Sequence, residues 1–206
     1  PQHGNGNSPV LFNDLVVVNC DGSNVQFVAA LEQSTGKIRW QKPRPPVDEI
    51  KKFAFATPLV IEVEGAHQII SPGAHLVVAY NPADGEELWR VRHPGYSLAT
   101  RPVYGNGLVY VCTSFDKSSL LAIDPTGHGD VTDTHVRWKT ERGAPHTPSP
   151  LLLDDDLYFM SDQGVATCVD AKTGNVHWTH RVGGNYSASP LYAEGKIYFQ
   201  SEKGET

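Results

Sequence analysis

The residues of this chain that could do chemistry are scattered along it. Cys20, Cys112 and Cys168 are odd in number and far apart, with no C-x-x-C or adjacent pair among them, so neither a disulfide framework nor a zinc site is expected. Each lies inside an apolar strand-like pattern, where a thiol serves as a small core filler. Nine histidines are present, yet none falls in an H-E-x-x-H or His-x-His spacing. His128, Asp130, Asp133 and His135 crowd into one stretch and are the candidate metal ligands. The EF-hand pattern is absent, so a solvated loop is the preferred reading and no metal is expected. Gly4-Asn5-Gly6 and Gly183-Gly184-Asn185 read as joints rather than phosphate loops, because no helix follows either.

What surrounds these residues is a background of short strands. Of 206 residues, 39% are hydrophobic and 19% charged, and 19 Gly and 15 Pro are spread throughout, a composition that favours frequent turns over long helices. The net charge is −6 and basic residues cluster no further than pairs such as Lys51-Lys52, so no nucleic-acid partner is expected. No apolar run approaches the roughly 20 residues of a membrane span, so no transmembrane segment is expected in this chain. The start at Pro1, without Met or a signal-like segment, suggests a cut into a longer protein.

A repeat organises the chain. Trp40, Trp89, Trp138 and Trp178 are spaced 49, 49 and 40 residues apart. A second marker keeps the same rhythm: Ser8-Pro9, Thr57-Pro58, Arg101-Pro102, Ser149-Pro150 and Ser189-Pro190 each open an apolar strand, where Pro is tolerated at the first residue. After each Pro come a short strand, a turn such as Glu64-Gly65 or Gly105-Asn106-Gly107, and a second strand rich in branched and aromatic residues. A third strand then leads through a tight polar turn into a fourth that carries the Trp. That last hairpin is the most specific part: Ala30, Glu32, Gly36 and Trp40 recur as Ala79, Asn81, Gly85 and Trp89, and as Cys168, Asp170, Gly174 and Trp178. The acidic or amide residue bonds the turn backbone, and Gly36, Gly85 and Gly174 supply the positive φ a short hairpin needs. In the third repeat Ala122 and Asp124 are in place, but Trp138 arrives six residues late because residues 127–135 lengthen the turn.

The pattern A-x-D-x-x-T-G-x-x-x-W resembles the tryptophan-docking repeat of the pyrroloquinoline-quinone (PQQ)-like β-propeller family, which includes BamB and the propellers of quinoprotein dehydrogenases. The resemblance spans nearly the whole chain. It implies an all-β propeller of four-stranded antiparallel blades, about four and a half of them, over a single segment 1–206: blades at 8–41, 57–90, 101–139 and 149–179 and a partial blade at 189–206. It further implies that Trp40, Trp89, Trp138 and Trp178 each pack against the next repeat. Quinoprotein members bring adjacent cysteines, a Trp beneath the quinone, a metal site and a catalytic Asp. This chain has no adjacent cysteines and its Trp residues all fall at docking positions, so no catalytic residue and no cofactor is expected, PQQ with calcium being the alternative.

Loops on a rigid scaffold are where such a fold would bind. One face is expected to carry Asp21, Asn24, His75, Asp116, Lys117, Asp162 and Gln163 from the second-to-third connections. The blade-to-blade connections would add Arg44, Tyr96, Arg101, His146, Asn185 and Tyr186, and the longest of them runs from Lys42 to Phe55. With these loops, the family resemblance implies a non-catalytic, extracytoplasmic (periplasmic or envelope-associated) scaffold that meets a protein or cell-envelope partner. The alternatives are a piece of a quinoprotein oxidoreductase and the sensor domain of a larger envelope protein. The fifth repeat stops after two strands, so the chain by itself is expected to form an open arc.

Overall fold

The computed structural model describes residues 4, 6–48 and 50–206. Among them there is no helix, and the strands gather into consecutive antiparallel sheets. The first blade is β1 (Val10–Phe12), β2 (Leu15–Asp21), β3 (Gln26–Glu32) and β4 (Ile38–Pro43), paired in that order. The second is β5 (Leu59–Val63), β6 (Ala66–Gly73), β7 (Leu76–Tyr80) and β8 (Glu87–Arg92). The third is β9 (Val103–Gly105), β10 (Leu108–Cys112), β11 (Leu120–Ile123) and, beyond an excursion containing β12 (Gly129–Asp130), β13 (Val136–Thr140). The fourth is β14 (Leu151–Leu153), β15 (Asp156–Met160), β16 (Val165–Asp170) and β17 (Val176–Arg181). A two-stranded sheet, β18 (Leu191–Ala193) with β19 (Lys196–Tyr198), ends the arc.

Turn chemistry explains the tight first hairpins. Glu64-Gly65, Asn106-Gly107 and Glu194-Gly195 have positive φ at both residues, the mirror-image turn whose twist matches paired strands. In the third-to-fourth hairpins the amide of Gly36, Gly85 or Gly174 donates to the carbonyl of Glu32, Asn81 or Asp170, each at 2.8 Å. The Asp170 carboxylate also accepts from the Thr173 amide and hydroxyl, both at 2.7 Å. Each Trp faces a small residue across the sheet, Ala30, Ala79, Ala122 or Cys168, and a bulge follows that small residue every time.

The core lies between blades rather than within any one of them. Successive residues of a strand point to opposite faces, so β7 splits its side chains between two neighbours. Leu76, Val78 and Tyr80 pack with Val17, Val28 and Trp40 of the first blade. Val77 and Ala79, with Trp89, pack against Val109, Val111 and Ile123 of the third. A third layer joins Tyr110, Leu120 and Ala122 to Leu157, Phe159 and Val169. The X-Pro strand starts are also linked. The amide of Ser8 donates to the Thr57 hydroxyl at 2.9 Å, that of Arg101 to Ser149 at 2.9 Å, and that of Ser149 to Ser189 at 3.0 Å. Arg101 has no hydroxyl to receive the link from Thr57, so the chain of bonds is interrupted between the second and third blades.

That same junction departs from the expected docking. Trp40 donates its indole N–H to the Pro82 carbonyl at 2.8 Å and Trp138 donates to Ala171 at 2.9 Å, so both cap the hairpin of the next blade. Trp89 is fully buried but donates to Gln68 in its own blade at 2.9 Å. The Gln68 amide in turn donates to the Pro125 carbonyl of the third blade at 3.1 Å. Pro125 follows Asp124 as Pro82 follows Asn81 and Ala171 follows Asp170, so Gln68 bridges Trp89 to the equivalent carbonyl of the next blade. Trp178 is 43% exposed, and among the described residues no third-to-fourth hairpin lies beyond it.

Candidate functional site

The candidate metal ligands His128, Asp130, Asp133 and His135 lie in an excursion of the third repeat that folds as more than a loop. Residues 127–135 add a strand to the preceding blade: β12 runs parallel to β8, with Gly129 opposite Trp89 and Asp130 opposite Arg90. The Asp130 carboxylate is taken by the Thr132 hydroxyl at 2.6 Å and by Arg92 at 2.9 Å, and these two partners hold its pKa below the usual value. His135 turns its Nδ1 to the Thr134 hydroxyl at 2.8 Å, and His128 is exposed. Among the described residues, no three His, Cys, Asp or Glu side chains are placed to share a cation.

The candidate face divides into parts with different surroundings. Arg44 and Asp21 turn inward as a two-pronged ion pair, at 2.9 and 2.6 Å, and Arg44 also donates to the Ser71 carbonyl at 2.9 Å. Burial alone would lower the Arg44 pKa, but the Asp21 carboxylate outweighs it and the net direction is up. This pair ties the first crossing to the second blade and is closed to a partner. Tyr186 is likewise buried, packed with Met160, Ala166 and Phe199, while Asn185 receives the Glu202 amide on its carbonyl at 2.8 Å. Asn24 and Arg101 are exposed and stand apart from the other candidates. Lys117 is paired with Glu141 at 2.9 Å.

The remaining candidates come together. His75, Tyr96, Asp116, His146, Asp162 and Gln163 surround a patch of rings and an adjoining groove. Tyr96 lies 5.4 Å from Phe53, 6.3 Å from His75 and 6.2 Å from Phe115 between ring centres, and Phe115 lies 5.1 Å from His146. Lys51 donates to the Tyr96 hydroxyl at 2.9 Å, sits 4.5 Å from the ring centre, and has its pKa raised first by that hydrogen bond. His75 is fixed by a 2.8 Å contact from its Nε2 to the Lys51 carbonyl. Phe115 is 48% exposed at the centre of the patch. Its neighbours Ser114 and Asp116 have φ of 58° and 70°, and His75 and Ser97 at the rim have 65° and 58°. Four non-glycine residues held in the left-handed region at one place is a costly arrangement that the rest of the fold maintains.

Beside this patch a groove of about 710 Å³ runs between the third and fourth blades. Asp116, Glu141, His146, Asp162 and Gln163 line it, together with Arg142 and Arg181. Asp162 anchors its rim by accepting from the His146 amide at 2.7 Å and the Thr147 hydroxyl at 2.6 Å. Reading the sequence singled out the loop that holds Lys51 but missed Phe53, Phe115, Glu141, Arg142 and Arg181. An aromatic residue in the middle of the polar run Thr113-Ser114-Phe115-Asp116-Lys117 was the available signal for the centre of the patch. Glu49, in the same Lys42–Phe55 crossing, and Asn5, in the first glycine joint, lie outside the described residues.

The thiols sit elsewhere, in three different blades, as free cysteines. Burial pushes the Cys112 thiol up to about 12 and raises that of Cys168, which removes nucleophilic character from both at neutral pH.

The sequence model of the family described as outer membrane protein assembly factor BamB matches residues 24–150 and again 129–206. The chain belongs to this family. Its fold is similar to that of BamB from Moraxella catarrhalis, with a TM-score of 0.70 and 14% identity over 97% of this chain and 59% of that one. It is also similar to the quinohemoprotein alcohol dehydrogenase of Comamonas testosteroni, with a TM-score of 0.63 and 13% identity over 95% of this chain and 39% of that one. A europium-containing methanol dehydrogenase gives a TM-score of 0.65 at 13% identity, over 93% and 46% of the two chains. No curated protein sequence matches. At these identities the structural likenesses establish the fold alone: an open portion of a β-propeller. The chain spans 59% of the BamB structure it resembles. Among the described residues no helix is long and apolar enough to cross a membrane.

Proposed function

We propose that this BamB-family chain is a non-catalytic, extracytoplasmic interaction module that engages a protein partner through the patch centred on Phe115. The observation that carries the reading is an aromatic residue half exposed between two non-glycine residues of positive φ, and flanked by Tyr96 and His146. An exposed aromatic cluster beside a polar groove has the composition of a contact region, where rigid rings supply most of the binding energy. The family's printed description, an assembly factor of the outer membrane, supports both the partner class and the setting.

The quinoprotein alternative receives no support from the residues present. The cysteines are separated, the Trp residues occupy last strands, and three of the four spend their indole N–H on inter-blade or same-blade acceptors. None is left as a platform beneath a quinone on the loop face, so no PQQ and no calcium is part of this proposal.

A photoreactive amino acid placed at Phe115 in the protein as expressed in its own cells tests the reading. A discrete cross-linked partner is expected from position 115 and none from Glu64, which lies in a first hairpin turn. Equal cross-linking from both positions, or none from 115, would sink it.

A further inference from the structure

The groove between the third and fourth blades is lined by residues running from Asp116 to Arg181, so two four-stranded sheets and their connections build it. Its carboxylates are already answered. Asp162 accepts from the His146 amide at 2.7 Å and the Thr147 hydroxyl at 2.6 Å, Glu141 is paired with Lys117 at 2.9 Å, and Asp116 lies 3.8 Å from Lys51. Its donors are not answered. The Arg142 and Arg181 guanidiniums, the Gln163 amide and the Thr167 and Thr179 hydroxyls all line the groove, and none of these side chains has a hydrogen bond or ion pair among the described residues. Thr167 is only 4% exposed, and it stands opposite Thr179 in the pairing of β16 with β17, which sets two hydroxyls side by side. The Nδ1 of His146, another lining residue, is buried without a partner. Unpaired polar atoms at buried positions carry a cost that a bound acceptor would remove.

We propose that this groove is a binding site for a small open-chain polycarboxylate. Each guanidinium fork matches a planar carboxylate two bonds at a time, and Thr167, Thr179 and Gln163 donate to the remaining oxygens. These donors come from the crossing at Arg142, the turn at Gln163 and the strands β16 and β17. Donors spread in that way suit several carboxylates on one flexible molecule better than one compact tetrahedral anion. The volume, about 710 Å³, is that of a small-molecule site. No Trp, Tyr or Phe lines the groove, so nothing in it would stack a flat aromatic acid such as PQQ. The site shares the Asp116 and His146 rim with the ring patch but does not use Phe115, and it does not rest on the partner reading.

Calorimetric titration of the whole chain with citrate in neutral, low-salt buffer tests it. Saturable binding is expected, at least about tenfold tighter than that of inorganic phosphate at matched ionic strength. Arg142→Gln and Arg181→Gln should each weaken it by more than about tenfold, and Thr167→Val by about fivefold. Arg101→Gln removes the same charge from an exposed position away from the groove and should leave the affinity within about twofold. Both groove arginines are exposed, so their replacement leaves folding intact. Thermal melts give a second readout: citrate should raise the midpoint of the parent chain and not that of Arg142→Gln. Equal weakening by all three arginine substitutions, or phosphate binding as tight as citrate, would reduce the site to a general attraction of anions and overturn the proposal. Absence of citrate binding overturns it as well, and binding of a hexaglutamate peptide in its place would assign the groove to an acidic segment of a protein. None of these outcomes bears on cross-linking from Phe115.

Discussion

Two tryptophans of one sequence type differ in environment, and the difference sets what each is worth. Trp89 is fully buried between two blades and hydrogen-bonded to Gln68, whereas Trp178 is 43% exposed. Trp89→Ala should cost about 3–5 kcal/mol of stability, while Trp178→Ala should stay within roughly 1 kcal/mol. Denaturant melts decide it, and similar midpoints for the two variants would contradict the docking geometry. His93 offers a second measurement at this scale. Its ring is buried, and burial lowers its pKa to about 3, helped by His75 and opposed by weaker contacts with the backbone of Leu76 and Gly73. Unfolded, the imidazole takes up a proton near its ordinary 6.5, which the folded chain refuses until about 3. Stability is therefore lost as pH falls through that window, at up to about 1.4 kcal/mol per pH unit from this group alone. His93→Gln should flatten the dependence between about pH 6 and pH 4 by nearly that slope, and an unchanged slope would show that His93 is protonated in the fold.

At the scale of elements the excursion at 127–135 stands out. It is the longest departure from the repeat, and it stitches the third blade to the second through a parallel pairing with β8. Val131 is buried and its amide donates to the Arg90 carbonyl at 2.9 Å, while the Arg92 amide donates to the Thr132 hydroxyl at 2.9 Å. This strap lies at the one junction where Trp89 cannot reach the next hairpin directly and where Arg101 interrupts the row of hydroxyl links. The three departures fall at one junction, where Gln68 bridges Trp89 to the Pro125 carbonyl and β12 adds a pairing with β8. Val131→Ser should therefore destabilise by roughly 1–3 kcal/mol, and His128→Ala, in the same excursion but exposed, by less than about 0.5. Thermal melts of the pair check it. Equal effects would mean that the strap is an ordinary surface loop.

For the whole molecule, stacking of each blade on its neighbours holds the described blades together, since each of the three main buried layers is shared by two adjacent sheets. The face presented by these blades carries rings and a polar groove, while the thiols lie apart in three blades and Trp40, Trp89 and Trp138 are committed to cores and junctions. Titration of the purified chain with PQQ and calcium is expected to give no stoichiometric complex and no dye-linked oxidation of alcohols. A tight complex with such activity would move the protein from the interaction class to the oxidoreductases.

The blades were legible in the sequence because their signals are local. Ser8-Pro9 and its counterparts, the hairpin glycines Gly36, Gly85 and Gly174, and the alternating apolar strands each act over a few residues, and their period shows in the chain as written. The partner of each side chain was another matter. Asp21 and Arg44 look like two loop residues free to bind, yet they neutralise each other in the interior. His128, Asp130, Asp133 and His135 share a stretch of sequence that folds as a strap, in which Asp130 turns to Arg92 and His135 to Thr134 rather than to one another. Phe53, Tyr96, Phe115 and His146 come from four segments and meet only because successive blades stack with their connections on one side. Spacing along a strand determines which face a residue takes. Which residue it then meets depends on sheets some 40 to 50 positions away, and that is decided by the packing of one blade on the next.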